Sequence, residues 1–316
     1  MIIFKLPFEE KHYTIEENSQ ENKVSFYPFT GSSKINFKGN LTEISFDELS
    51  EIQYILPENP EYEKNETFEE YVKKIEKTID FIKSNQLPKL VIARKKTIEA
   101  STSDIVDAFR KLCKKYPSAF VYFFAENGIS WIGAFSELLG KFDKKTSEFE
   151  TMSLAGTLPV NEQWSEKEIE EQKPVTDYIF KILQKYSPII EQSETYDHIS
   201  GNIKHLRTDF KAKISKEDLN NLISELHPTP AVCGFPKEIC KKAIADLENF
   251  DREFYAGFSR IETENEIFCF VNLRCGKLFK NSIQLFAGGG ITALSNPEKE
   301  WQETELKMQA LESAFI

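Results

Sequence analysis

Four carboxylates come in pairs. Glu168 and Glu171 are three residues apart, Glu300 and Glu303 repeat that spacing, and Lys307 follows Glu303 by four. On a helix, such spacings share a face. Two helices that each present a glutamate pair could hold a hard divalent cation such as Mg²⁺. That ion takes one or two protein carboxylates and completes its shell with water and substrate oxygens. The same pattern is common on solvated helix faces, where Glu303 and Lys307 would be an ordinary surface ion pair. Spacing alone leaves both possibilities open and favours the plainer one.

Three consecutive glycines, Gly288, Gly289 and Gly290, stand between a strand-like run and a final helix. Bare amides there could approach an anion, or the run could be a tight turn. No Gly-Lys-Ser/Thr follows, so it is not a nucleotide P-loop. Residues 154–157 (LAGT) and 226–236 (LHPTPAVCGFP) read as ordered loops of small and stiff residues.

The elements that must carry these groups are partly legible. Residues 1–65 read as short strands and turns, with 26–29 and 35–37 strand-like. Helices are expected over 65–84, 104–116, 165–186 (interrupted or bent near Pro174), 215–226 and 236–249. Strands are expected over 89–94, 120–125, 128–133, 138–142, 254–261, 267–275 and 282–287, with strand-like residues around His205. Residues 191–204 read as a connector. Asn296 and Pro297 supply the cap and first residue of a last helix. Strands come in runs with helices between the runs, which is an α+β signature rather than βαβ alternation. No internal repeat or linker divides the chain, so one domain is expected.

The 316 residues are 40% hydrophobic and 29% charged, an ordinary globular balance. No stretch approaches the ~20 apolar residues needed to span a bilayer, and the first residues lack a secretory pattern. A cytoplasmic protein, monomeric by default, is the expectation. The net charge of −11 repels nucleic acid and anionic membranes. It also requires local cations wherever an anionic substrate binds. Five cysteines, with no CxxC pair, suggest reduced thiols in or near the core rather than disulfides or a zinc site.

Taken in order, the segments resemble the chorismate-utilising enzymes, which include isochorismate, salicylate, anthranilate and aminodeoxychorismate synthases. The resemblance covers residues 65–316 and is carried by 89–94 (KLVIAR), 131–139 (WIGAFSELL), 154–157, 167–172 (KEIEEQ), His205, 226–236, 251–257 (DREFYAG), Arg274, 287–291 (AGGGI) and 295–304 (SNPEKEWQET). It implies an α/β/β/α sandwich of two large antiparallel sheets flanked by helices. Residues 1–64 would be a short strand-rich part of that sandwich, and 65–316 the chorismate-binding catalytic region.

The resemblance also implies roles. Lys89 matches the general base that activates water, and Glu137 the acid that protonates the departing hydroxyl. Glu171 and Glu303 match Mg²⁺ ligands, with Glu168 and Glu300 reaching the metal through water. Tyr255, Arg274, Gly288 with its neighbour Gly289, and Lys307 match positions that hold the substrate carboxylates. Gly156, Thr157 and His205 line the ring pocket. Read without the family, Lys89 and Arg274 would be surface cations. Within the family, Lys89 favours water over ammonia as nucleophile. Ala231, where salicylate synthases carry threonine, favours isochorismate over salicylate as product. The chain departs from the family pattern at Ser136, Leu158 and Gln172. A salicylate synthase and a non-catalytic chorismate-binding paralogue are the alternatives.

Overall fold

A computed structural model describes the chain apart from residues 32, 60–63, 103, 201–202 and 316 and the side chains of residues 50 and 200. The elements begin with β1 (Ile2–Lys5), β2 (Tyr13–Glu16), β3 (Asn22–Tyr27), β4 (Ile35–Lys38), β5 (Asn40–Glu43) and a short helix α1 (Phe46–Glu51). Then come α2 (Phe68–Asn85), β6 (Lys89–Glu99), α3 (Ile105–Lys115), β7 (Phe120–Glu126), β8 (Ile129–Phe135), β9 (Leu138–Asp143), β10 (Glu148–Pro159) and α4 (Glu166–Leu183). The chain continues through β11 (Ile190–Gln192), β12 (Tyr196–Ser200), β13 (Ile203–Lys213), α5 (Leu219–Leu226), β14 (Gly234–Phe235) and α6 (Lys237–Leu247). It ends with β15 (Phe258–Glu262), β16 (Glu266–Val271), β17 (Cys275–Phe279), β18 (Ser282–Ile291) and α7 (Pro297–Glu312).

The strands form two nine-stranded antiparallel sheets. One runs β14-β6-β18-β17-β8-β7-β1-β2-β5; the other runs β11-β13-β10-β9-β16-β15-β3-β4, with β12 also paired to β13. Helices α2, α3, α6 and α7 pack on the first sheet, and α4 and α5 on the second. This is the expected sandwich. The N-terminal strands are shared out: β1, β2 and β5 extend the first sheet and β3 and β4 the second.

Strand β7 shows why the layers form. Successive side chains of a strand point to opposite faces. Phe120, Tyr122 and Phe124 belong to the core between the sheets, where Phe120 stacks on Phe270 of β16 at 5.0 Å and Tyr122 meets Phe26 of β3 at 4.7 Å. Val121 and Phe123 join Phe109 and Leu112 of α3 in a second cluster outside the sheet. Both faces are buried, so the strand reads as a continuous apolar run. All five cysteines are buried free thiols.

Local chemistry explains the helix ends. Thr67 and Glu70 form a reciprocal capping box at the start of α2, and Tyr71, Ile75, Ile79 and Ile82 make its buried stripe. The Asn296 side chain accepts from the Lys299 amide, with Pro297 as the first residue of α7.

Several expectations need correction. The glycine run is neither a turn nor an open anion loop: Gly288, Gly289 and Gly290 lie inside β18, paired with Ala93, Ile92 and Val91 of β6. Residues 154–157 likewise belong to a strand, β10; Leu154 and Ala155 pair with β13, and Gly156 and Thr157 form an irregularity before pairing resumes at Leu158. The supposed connector over 191–204 overlaps β11, holds β12 and runs into β13, because both shorter strands pair with β13. Helix α4 continues through Pro174 without interruption. The single strand expected over 267–275 is two strands in different sheets.

The first sheet ends at β6 in an unusual way. Only Lys89 and Leu90 pair with a further strand, the two-residue β14. Beyond them, a buried ion pair takes over. Arg252 donates to the Val91 carbonyl at 2.9 Å and to Glu248, while Glu248 accepts from the Ala93 amide at 2.7 Å. Arg252 also donates to the Val232 carbonyl at 2.7 Å, which ties the 226–236 loop to the same edge.

Candidate active site

Two passages of chain from one sheet to the other run side by side. Residues 136–137 link β8 to β9, and residues 272–274 link β16 to β17. They are joined by hydrogen bonds from the Val271 amide to the Glu137 carbonyl (3.0 Å) and from the Ala134 amide to the Arg274 carbonyl (3.2 Å). Arg274 adopts φ +46°, a left-handed conformation that a non-glycine residue holds only where its surroundings fix it. Each crossing delivers one functional side chain, Glu137 or Arg274, into a cavity between the sheets.

That cavity encloses about 790 Å³ of empty space, its open mouth included. Gly156 and Thr157 from β10, His205 from β13, Ala231 and Tyr255 from loops, Gly288 from β18, Glu171 from α4 and Lys307 from α7 all reach its wall. Phe135, Leu273 and Phe286 add apolar surface, as expected for a site that must hold a ring.

On the Arg274 side, the geometry fixes a tautomer. A guanidinium only donates, so His205 Nε2 accepts from Arg274 at 3.2 Å. Nδ1 therefore carries the proton and donates it to the Gly156 carbonyl at 2.9 Å, with Thr157 Oγ1 at 3.2 Å. Burial, then the nearby Arg274, push the His205 ring down to about 3, so it stays neutral. Burial raises Glu137 to about 7, against the pull of Lys89 and Lys307. A glutamate so placed can be a proton donor near neutral pH.

Lys89 is fully buried and lies behind Glu171 rather than on the cavity wall; its ammonium is 3.0 Å from Glu171 Oε1. Burial lowers its proton affinity and Glu171 partly restores it. Glu171 would be raised by burial, but Lys167, Lys89 and Lys307 together hold it below the usual carboxylate range. Glu300 goes the other way, to about 7, because burial and its neighbours Glu303 and Glu171 outweigh Lys167.

The role of the glycines follows. A Cβ on Gly290 would stand 2.5 Å from Lys89 Cε and closer still to Glu171, and one on Gly289 would stand 2.6 Å from Glu300 Oε2. The bare stretch of β18 is the floor on which the charged side chains lie.

The two glutamate pairs do come together, and they are not solvated surface: Glu171 and Glu300 are 5% and 2% exposed. Lys167 bridges them, 3.0 Å from Glu171 Oε2 and 3.1 Å from Glu300 Oε1. Glu303 holds Lys307 at 2.6 Å, and Lys307 also donates to the Gly288 carbonyl at 2.8 Å. Glu168 has a second task, accepting from the Ser165 amide and hydroxyl at the start of α4. Among the described residues, no three Asp, Glu, His or Cys side chains form a metal cage by themselves. The donor set still suits Mg²⁺, which binds few protein carboxylates and keeps other oxygens. The buried Glu300 Oε2 has no hydrogen-bond partner, so one oxygen of the cluster remains open to a cation.

Lys167, to which the sequence assigns no role, is the cation that bridges the two helices' glutamates. Its spacing to Glu171, i to i+4, was available as a signal. Of the departures from the family pattern, Gln172 donates to Ser153 Oγ at 2.9 Å and braces α4 against β10. Leu158 lies in an outer cleft next to the carboxylates.

Residues 36–316 match the family model described as chorismate binding enzyme, and the chain belongs to that family. Isochorismate synthase EntC of Escherichia coli is 31% identical over 250 residues, which cover 73% of this chain and 63% of that protein. The chain thus spans somewhat less than two thirds of the length of that relative. Isochorismate synthase MenF of Haemophilus influenzae is 28% identical over 319 residues, covering 95% of this chain and 73% of its own. The solved structure of MenF, the menaquinone-specific isochorismate synthase from Escherichia coli, superposes with a TM-score of 0.80 at 19% identity, over 100% of this chain and 88% of that one. No helix among the described residues is long and apolar enough to cross a membrane.

Proposed function

We propose that this protein is an isochorismate synthase that interconverts chorismate and isochorismate with Mg²⁺ as cofactor. The observation that carries the reading is the opposed tuning of two buried groups. Burial drives Lys89 towards the neutral amine and Glu137 towards the protonated acid. Those are the states in which a base and an acid must begin.

The reaction moves a hydroxyl around a ring. Lys89 accepts a proton from water as the water oxygen bonds to one ring carbon. The ring double bonds shift, and the C–O bond at another carbon breaks. Glu137 protonates the departing hydroxide, which would otherwise be a poor leaving group. One water enters and one leaves, so the change is an isomerisation. Arg274 and Lys307 offer cations to the substrate carboxylates; Tyr255 and the backbone at Gly288 and Gly289 add polar contacts. Neutral His205 keeps Arg274 aimed into the cavity, and Gly156, Thr157 and Ala231 shape the ring pocket. Glu171 and Glu303 would hold Mg²⁺, with Glu168 and Glu300 behind intervening water. When bound, the ion neutralises the ring carboxylate and orients the substrate. The relatives' names include both a menaquinone-specific and a vibriobactin-specific isochorismate synthase; the resemblance to MenF along 95% of the chain favours menaquinone synthesis, with siderophore synthesis the alternative.

The test is product analysis after incubation with chorismate. Isochorismate without pyruvate is expected, with no turnover after chelation of Mg²⁺ or in a folded Lys89→Ala variant. Salicylate with pyruvate would make the protein a salicylate synthase. Tight chorismate binding with no product would make it a binding protein. Wild-type-like rates for Lys89→Ala would remove the base assignment.

A further inference from the structure

Lys167 is the second residue of α4, after the Ser165 cap. The first turn of a helix carries the positive end of its dipole and disfavours a cation. Yet the Lys167 side chain turns inward, 14% exposed, and bridges Glu171 of α4 to Glu300 of α7. Glu303 adds to the negative field around it. Lys89 and Lys307 serve the outer oxygens of the cluster, one on Glu171 and one on Glu303. Without Lys167, Glu171 would keep Lys89, but Glu300 would keep only the Ser295 hydroxyl on Oε1, and its Oε2 already has no partner.

We propose that Lys167 is the resident counter-cation of the metal centre. Its ammonium fills the space between Glu171 and Glu300 in the metal-free protein, and an arriving divalent cation displaces it. The proposal rests on the Mg²⁺ assignment above. An ammonium bridges carboxylates at about 3 Å, whereas Mg²⁺ draws its oxygens to roughly 2 Å. A cation on Glu171, with a water reaching Glu300, would need the place that the ammonium takes beside Glu171 Oε2. The outer cleft next to the cluster, lined by Lys167 itself with Glu162, Gln163 and Glu303, gives the displaced side chain a polar place to go. The exchange keeps α4 and α7 together when the metal is absent, and it makes metal binding weaker and reversible.

Two measurements test this. Reductive methylation of wild-type protein, read by mass spectrometry of the peptide containing Lys167, should rise severalfold when Mg²⁺ is added. Lys237, whose ammonium is held by the carbonyls of Glu225 and His227, should not change. Calorimetric titration of Lys167→Met should show Mg²⁺ binding about tenfold tighter than wild type. Its metal-free melting temperature should be lower than wild type, and the gap should narrow as Mg²⁺ saturates the site. Lys167→Gln guards against a folding defect specific to the first variant. Mg²⁺ binding that leaves Lys167 protected from methylation, or that is no tighter in either variant, overturns the proposal alone. No Mg²⁺ binding by wild type or variants overturns the metal assignment as well.

Discussion

Six charged side chains crowd the flank of the cavity built by β6, β18, α4 and α7: Lys89, Lys167, Lys307, Glu171, Glu300 and Glu303. The flank built by the two sheet crossings and β13 is electrostatically sparse. Its histidine is neutral, its glutamate is raised to about 7, and Arg274 supplies the charge. Both flanks are buried. On the first, Glu171 and Lys167 keep their charges because opposite partners lie about 3 Å away, while Glu300, beside two other carboxylates, is raised to about 7 and Lys89 is drawn towards the neutral amine. On the second, burial wins and groups shed their charge. An acid is best made by the second method and an anion-binding metal centre by the first.

The sharpest way to break the sparse flank is Glu137→Gln. Turnover should fall by about a thousandfold, the range of a lost general acid. Stability should move the other way. The native state holds this carboxyl neutral up to about 7 against an ordinary 4.5, so wild-type stability is intact below pH 4.5. It is lost as pH rises through about 7, because only the unfolded chain ionises freely in that window. Denaturant titration should therefore find Glu137→Gln equal to wild type near pH 4 and up to about 3 kcal/mol more stable at pH 8. Equal stability at both pH values would show that Glu137 is ionised in the native state.

The crowded flank is best probed through its floor. Gly290→Ala sets a methyl against Lys89 and Glu171. Activity should drop about a hundredfold, since small displacements of positioned groups are costly. A fully active Gly290→Ala would mean that the lysine–glutamate pair can shift without penalty.

The smallest effect belongs to His205→Phe. Arg274 loses its Nε2 partner. KM for chorismate should rise about tenfold, with kcat nearly unchanged, the signature of lost uniform binding. A large fall in kcat at constant KM would move His205 into the chemistry.

Much of this was legible in the sequence, and the exceptions share a cause. Caps at Thr67 and Asn296 announce their helices because capping is local chemistry. The glycines of β18 and the Leu154–Thr157 stretch of β10 mislead because local rules read small residues as turns. Their smallness answers instead to side chains arriving from other elements: Glu171, Lys89 and Glu300 over β18, and Glu168 over Gly156. Arg274 was legible as a residue type, but not its position at a crossing, because both flanking segments are strand-like and nothing local marks the change of sheet. Spacing alone reads Glu300 as solvated surface, but α7 buries Glu300, Thr304, Met308 and Leu311, a packing that only the tertiary fold decides.

The buried Arg252–Glu248 pair at the end of the first sheet acts as a key cut to fit one alignment. It reads an acceptor at Val91 and a donor at Ala93, two residues apart on the same edge of β6. A strand that slid by one residue would present the wrong groups to both and would turn every side chain, Lys89 among them, to the opposite face. The opposite edge of β6 is paired with β18 from Leu90 to Glu99, but on this edge only two residues of β14 pair with it. The same pair occupies hydrogen-bonding groups that an open edge would offer to a foreign strand, so the sheet is stoppered beside the start of the strand that carries Lys89.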